Sequence, residues 1–252
     1  MKKYFFFDID GTLAVGTTKV IPKDTMFCLN QLRQAGHFVA IATGRLQCDT
    51  LQFSLPLHIN SFVADGGNSL TYNGRLLEMS GLPREQAISL LKDLDACHIS
   101  WAVTLENKII RYTRSAAFVN NEKKSYFKTI VCPLDPMKLQ TIYKIFYIKP
   151  SYAASQPQKH GLSHIPYTEN SFIVEPADKA AGIRRMMKKI SAPLQDVVVF
   201  GDGLNDISMF TPAWFSIAMG NACPELKEKA NYITDTCDTG GILHACQKHG
   251  WI

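Results

Sequence analysis

Near its start the sequence lacks any apolar run long enough to act as a signal peptide or a membrane span, because Tyr4 to Phe7 is interrupted at once by Asp8. It has no CxxC pair. Its seven cysteines (28, 48, 97, 132, 223, 237 and 246) form an odd, irregularly spaced set, which argues against a disulfide framework or structural zinc and fits a reducing, cytoplasmic setting. Repeats and low-complexity tracts are absent. The net charge of +5 is spread along the chain. Its densest cluster, Arg184, Arg185, Lys188 and Lys189, falls in an expected helix without interleaved aromatics, which reads as a solvated face and not a nucleic-acid surface. Neither nucleic acid nor membrane is an expected partner, whereas a mild basic excess suits a small anionic substrate.

What is present is an ordinary globular composition, 46% hydrophobic and 19% charged over 252 residues, enough for one large domain or a core with an inserted second one. Tyr4 to Phe7 reads as a short buried strand followed by the polar Asp8-Ile9-Asp10-Gly11-Thr12. A helix is expected over Thr25 to Gln34, with Asp24 as N-cap and Gly36 as stop. A buried strand, His37 to Ala42, then ends in Thr43-Gly44-Arg45, and Phe62 to Ala64 precedes Asp65-Gly66-Gly67. Helices alternating with short apolar strands imply an α/β fold, a Rossmann-like doubly wound parallel sheet.

The pattern changes near Gly81-Leu82-Pro83. A helix over Arg84 to Ala96 leads into strand-like segments at Trp101 to Leu105, Lys108 to Tyr112 and Lys144 to Ile148. This stretch reads as an inserted α+β module at 81–172, with the core formed by 1–80 and 173–252. Core-like sequence resumes with a helix over Lys179 to Ile190 and the β-branched strand Val197 to Phe200, which ends in Gly201-Asp202-Gly203-Leu204-Asn205-Asp206. Trp214 to Ala218 is the last expected core strand.

Three strands thus end in polar clusters: Asp8 with Asp10, Thr43 with Gly44 and Arg45, and Asp202 with Asn205 and Asp206. In an open parallel sheet the carboxyl ends of the strands share one edge, so the clusters can meet in one site. Four carboxylates converging there repel by several kcal/mol per close pair at an effective dielectric of about 20, and a cation is expected among them. Oxygen ligands favour Mg2+ over zinc. A carboxylate such as Asp8, already ionised at neutral pH, is a suitable nucleophile toward phosphorus. Asp10, two residues on, can protonate a leaving alkoxide and then accept a proton from water. Thr43 and the Gly44 amide can hold phosphate oxygens, and Lys179 offers a fixed charge for the transferring phosphoryl group.

Phe-Asp-Ile-Asp-Gly-Thr-Leu, Ala-Thr-Gly-Arg, Lys179 and Gly-Asp-Gly-Leu-Asn-Asp, in this order, resemble the four motifs of the haloacid dehalogenase superfamily. The insert is similar to the larger α/β (type IIB) cap of the Cof-like phosphatases, and Ile217 to Ala222, Ala230 to Ile233 and Gly240 to Ile242 also resemble that subgroup. The resemblance implies that Asp8 is nucleophile and metal ligand, and that Asp10 is acid/base and a ligand through its backbone carbonyl. Asp202 is then a further Mg2+ ligand, Thr43, Gly44 and Lys179 hold phosphate, Asn205 touches the phosphate or the metal shell, and Asp206 positions that loop and Lys179. Two positions depart from the family pattern: Asp65-Gly66-Gly67 stands where Asn-Gly-Ala is frequent, and Ala180 follows the lysine where glycine is common. Asp65 is expected to bring one more carboxylate near the site.

The expected function is Mg2+-dependent hydrolysis of small phosphorylated metabolites, sugar phosphates or similar monoesters, through an aspartyl-phosphate, with the insert selecting the leaving group. A phosphosugar mutase and, in another class, a non-catalytic phosphate-binding regulator are the alternatives. His160 and His164 read as surface residues. Trp101, Tyr112 and Arg111 lie in the insert and could line a substrate pocket, but the two aromatics read mainly as packing of the insert's sheet.

Overall fold

Phe5, Phe6 and Phe7 are wholly buried because their strand lies inside a sheet covered on both faces. A computed structural model describes residues 1–18, 20–122, 125–150 and 159–252. In chain order its strands are β1 (Tyr4–Phe7), β2 (Phe38–Ala42), β3 (Phe62–Ala64), β4 (Ser69–Tyr72), β5 (Arg75–Met79), β6 (Trp101–Thr104) and β7 (Ile110–Thr113). There follow β8 (Lys128–Val131), β9 (Lys144–Ile148), β10 (His164–Thr168), β11 (Ser171–Val174), β12 (Val197–Gly201), β13 (Phe215–Ala218) and β14 (Tyr232–Ile233). The helices are α1 (Lys23–Gln34), α2 (Gln47–Ser54), α3 (Arg84–Ala96), α4 (Ala116–Asn121), α5 (Lys179–Lys189), α6 (Pro224–Lys229) and α7 (Gly241–Lys248).

The chain divides into two units, Met1–Glu78 with Ala177–Ile252, and Met79–Pro176. The first is built on an eight-stranded sheet of order β14-β13-β12-β1-β2-β3-β4-β5, parallel from β14 to β3 and antiparallel between β3 and β4. Side chains alternate across its plane. Phe5 and Phe7 pack with Cys28, Leu29 and Leu32 of α1 and Ile242 and Ala245 of α7, whereas Phe6 packs with Ile183, Met186 and Met187 of α5. The sheet is therefore doubly wound. β1 sits between β12 and β2, and this reversal of strand order puts the carboxyl ends of all three side by side.

The second unit is a six-stranded sheet of order β10-β11-β9-β6-β7-β8, antiparallel except between β7 and β8. Helix α3 covers one face, with Leu90, Leu91 and Leu94 packed among Trp101, Val103, Ile145 and Tyr147. The unit ends later than the expected 172, because β11 pairs with β9 and so belongs to this sheet. Trp101 is buried and its indole donates to Asp95, while Tyr112, half-buried, donates its hydroxyl to Glu106. Arg111 is fully buried against Glu122, 3.2 Å away, and lies over the rings of Phe118 and Phe146.

Several local expectations are corrected. Helix α1 starts at Lys23 after Pro22, with no side chain capping it; Asp24 lies in the first turn, where its charge complements the helix dipole. The strand expected from Lys108 begins at Ile110. His160 and His164 find separate partners, Asp93 and the Tyr147 hydroxyl, and both are half-buried. The basic cluster of α5 is exposed, with Arg184 stacked on Trp214 and Arg185 paired with Glu78. Among the described residues no helix is long and apolar enough to cross a membrane.

Candidate active site

Asp8 leaves β1 with its amide still donating to the Phe200 carbonyl of β12, so its side chain emerges at the sheet edge beside the end of β12. Lys179 reaches the same place from the first turn of α5, whose cap, Asp178, accepts the Ala181 amide at 2.9 Å. Gly67 allows the approach: at φ +111° a Cβ would stand 2.1 Å from the Asp178 carbonyl oxygen. The Lys179 ammonium donates to Asp8 Oδ1 at 2.6 Å and to Asp206 Oδ1 at 2.5 Å, and all three side chains are buried.

The other oxygen of Asp206 accepts the backbone amides of Asp202 and Gly203, at 2.9 and 3.1 Å, which folds the loop after β12 over Lys179. Asp202 is steadied from two sides. Thr12 donates its hydroxyl to Oδ1 at 3.0 Å, and the Asn221 amide reaches Oδ2 at 3.4 Å while also donating to the Gly11 carbonyl. Gly11, at φ +86°, has no room for a side chain, since a Cβ would lie 2.1 Å from Asp202 Oδ2.

Oxygens of Asp8, Asp202 and Asp206 lie within 4.8 Å of one another. One lysine against three carboxylates leaves two negative charges, which one divalent cation balances; the all-oxygen donor set fits a hard ion. The strain of this excess is visible in the acids. Burial, reinforced by the charge of Asp206, pushes Asp8 up to about 8 despite Lys179, and burial together with Asp206 pushes Asp202 up to about 7. For Lys179 burial opposes the charge, but Asp206 and Asp8 outweigh it and hold the ammonium protonated above its ordinary value.

The remaining expected residues follow β1, β2 and β12. Thr43 is buried at the end of β2, where its hydroxyl accepts the Arg45 amide at 3.2 Å, and Gly44 follows it half-buried. Asn205 sits half-buried in the 3-10 turn Leu204–Met209. The carboxylate of Asp10 is not part of the acidic trio: both its oxygens accept from Arg45, at 2.6 and 2.9 Å. Asp65 is also outside the trio. Its Oδ2 accepts the Gln47 amide at the start of α2, and its own amide donates to the Arg45 carbonyl. Arg45 was placed in a polar cluster by sequence reasoning but given no role, and Thr12, Asp49 and Asn221 were not singled out, although Thr12 and Asn221 stand inside the quoted motifs.

Haloacid dehalogenase-like hydrolases as a family match residues 5–246. The chain belongs to this family. Among relatives, a Bacillus subtilis strain 168 protein named as a phosphatase, YkrA, is 27% identical over 252 residues, covering 98% of each chain. A Streptococcus pyogenes serotype M6 protein named as a bifunctional phosphatase/peptidyl-prolyl cis-trans isomerase is 27% identical over 256 residues; the match covers 99% of this chain but 54% of that protein. A solved structure of a hypothetical protein from Geobacillus kaustophilus HTA426 superposes with a TM-score of 0.83 at 29% identity, covering both chains completely. This haloacid dehalogenase-like chain therefore carries its acidic trio and lysine on the expected α/β core.

Proposed function

We propose that this haloacid dehalogenase-type phosphatase hydrolyses small phosphorylated metabolites, sugar phosphates or similar monoesters, with Mg2+ and through a phosphoryl group carried on Asp8. The observation that supports the reading most is Lys179 held between Asp8 and Asp206 with Asp202 alongside, an anionic centre short of one divalent cation. Asp8 and Asp202, with the Asp10 backbone carbonyl, would hold Mg2+, which when bound shields the nucleophile from the substrate's negative charge.

Asp8 Oδ1 is held by Lys179, leaving Oδ2 to attack phosphorus. The phosphorus–oxygen bond to the leaving group breaks as the bond to Asp8 forms, and Asp10 gives the departing alkoxide its proton. Water then attacks the phosphorus of the aspartyl-phosphate and passes a proton to Asp10; inorganic phosphate departs and Asp8 is restored. Thr43, the Gly44 amide, Asn205 and Lys179 hold the equatorial oxygens, on which negative charge is spread during transfer. Substrate choice falls to the second unit.

The test is product analysis over a panel of phosphorylated metabolites with Mg2+ and with EDTA. Free phosphate released only with the metal is expected. An isomeric sugar phosphate that forms only with a bisphosphate primer, or no turnover of any member, overturns the reading.

A further inference from the structure

The geometry points to Arg45 as the positioning residue for Asp10, held in place from behind by Asp49 and Phe53. The inference rests on the reading above, in which Asp10 moves the proton.

Arg45 presents its guanidinium edge to Asp10, Nε to Oδ2 at 2.9 Å and Nη2 to Oδ1 at 2.6 Å. A two-point fork of this kind fixes the plane of the carboxylate as well as its distance, which a single ammonium contact would not do. The Asp10 side chain remains 35% exposed, so its free lone pairs still face solvent, while Arg45 is 10% exposed. The support is unequal in the same sense: the side closer to the reaction is open and the anchoring side is buried.

That anchoring side is α2. Arg45 Nη1 donates to Asp49 Oδ2 at 3.3 Å, Asp49 itself is buried, and the guanidinium lies 5.2 Å from the centre of the Phe53 ring. Asp49 and Phe53 are one turn apart on one face of α2, so the helix offers a charge and a flat surface at the spacing the guanidinium needs. Asp65 binds both ends of the connecting segment, taking the Gln47 amide on its carboxylate and giving its own amide to the Arg45 carbonyl. Helix α2 thereby sets the direction of a carboxylate in the loop after β1, with α1 and β2 between them in the chain, the kind of support a proton-transferring group needs.

The test compares phenyl phosphate, whose leaving group needs a proton, with p-nitrophenyl phosphate, whose leaving group does not, in Mg2+-loaded protein carrying Arg45→Met, Arg45→Lys, Asp10→Asn, and Asp10→Asn with Arg45→Met. Arg45→Met is expected to lower kcat/KM for phenyl phosphate by about 10²-fold while the initial burst of p-nitrophenol stays within about threefold of the parent. Arg45→Lys, which keeps the charge without the fork and is the milder change for folding, is expected to show the same bias toward the better leaving group. In the Asp10→Asn background, Arg45→Met is expected to cost nothing further, because its effect passes through Asp10. Equal losses on both substrates, or a full additional loss in the Asp10→Asn background, overturn the positioning role of Arg45 alone. If Asp10→Asn itself fails to steepen the dependence on leaving group, the acid/base reading of Asp10 falls and the role of Arg45 with it.

Discussion

Replacing Lys179 with methionine removes the cation between two buried carboxylates with little change in volume. The parent ammonium makes two charge-assisted hydrogen bonds, at 2.6 Å to Asp8 and 2.5 Å to Asp206, among side chains no more than 4% exposed. Losing one partner of such a buried pair costs about 3 to 5 kcal/mol when the charge left behind stays ionised. Protonation moderates that cost, and its pH window follows from the acids. Asp8 and Asp202 rise from an ordinary 3.8 to about 8 and about 7. Between these values the native state holds protons that the unfolded chain has shed, so their contribution to stability is full below the ordinary value and is lost as pH climbs through 7 and 8. Lys179 titrates above this window and stays charged throughout it. Without the lysine the acids hold their protons to still higher pH, and the methionine variant loses most where they are forced to ionise. Urea unfolding in EDTA at pH 8.5 should show a midpoint lower by roughly 1 M, taking an m-value of about 3 kcal/mol/M, and a smaller gap at pH 6. Equal midpoints for parent and variant at pH 8.5 would refute the claim that this ammonium holds the trio together.

Two further outcomes follow from the same geometry. Thermal stabilisation of the parent by Mg2+ should be larger at pH 8.5 than at pH 6, because Asp202 and Asp8 must lose protons to take a cation; melting curves with and without the metal check this, and a pH-independent shift contradicts it. Asp65→Ala should destabilise the protein by about 1 kcal/mol in urea unfolding through loss of the acceptor at the start of α2, whereas Asp65→Asn keeps an acceptor and should cost less than half of that.

The core was legible where burial leaves a plain mark. Phe5 to Phe7 and Val197 to Phe200 are apolar at every position because both faces of their strands are covered, and each run stops where the chain reaches the open edge of the sheet. Lys179 was found from motif order, and the same motifs pointed to Asp206 beside it, although its two partners stand 171 residues before and 27 after it in the chain. Helix α2 escaped altogether: Gln47, Asp49, Thr50 and Ser54 are buried with Phe53 while Leu51 is exposed, so its buried face carries little apolar signal. The polar burial that hid α2 is the same feature that anchors Arg45. Asp24 looked like a cap by residue type, but the helix begins at Lys23, after Pro22, two residues earlier than a cap at Asp24 would allow. Asp65, with φ +51° directly after β3, accepts the Gln47 amide on its carboxylate, a partner that residue type alone does not reveal.

The most direct measurement of the central claim is mass spectrometry of acid-quenched protein after brief exposure to a turned-over phosphoester and Mg2+, using Asp10→Asn to slow hydrolysis of the intermediate. A phosphoryl group on the peptide containing Asp8, removed by hydroxylamine and absent in Asp8→Asn, is the expected result. A phosphoryl group on another residue, or an Asp8→Asn protein that turns over substrate at the parent rate, contradicts it.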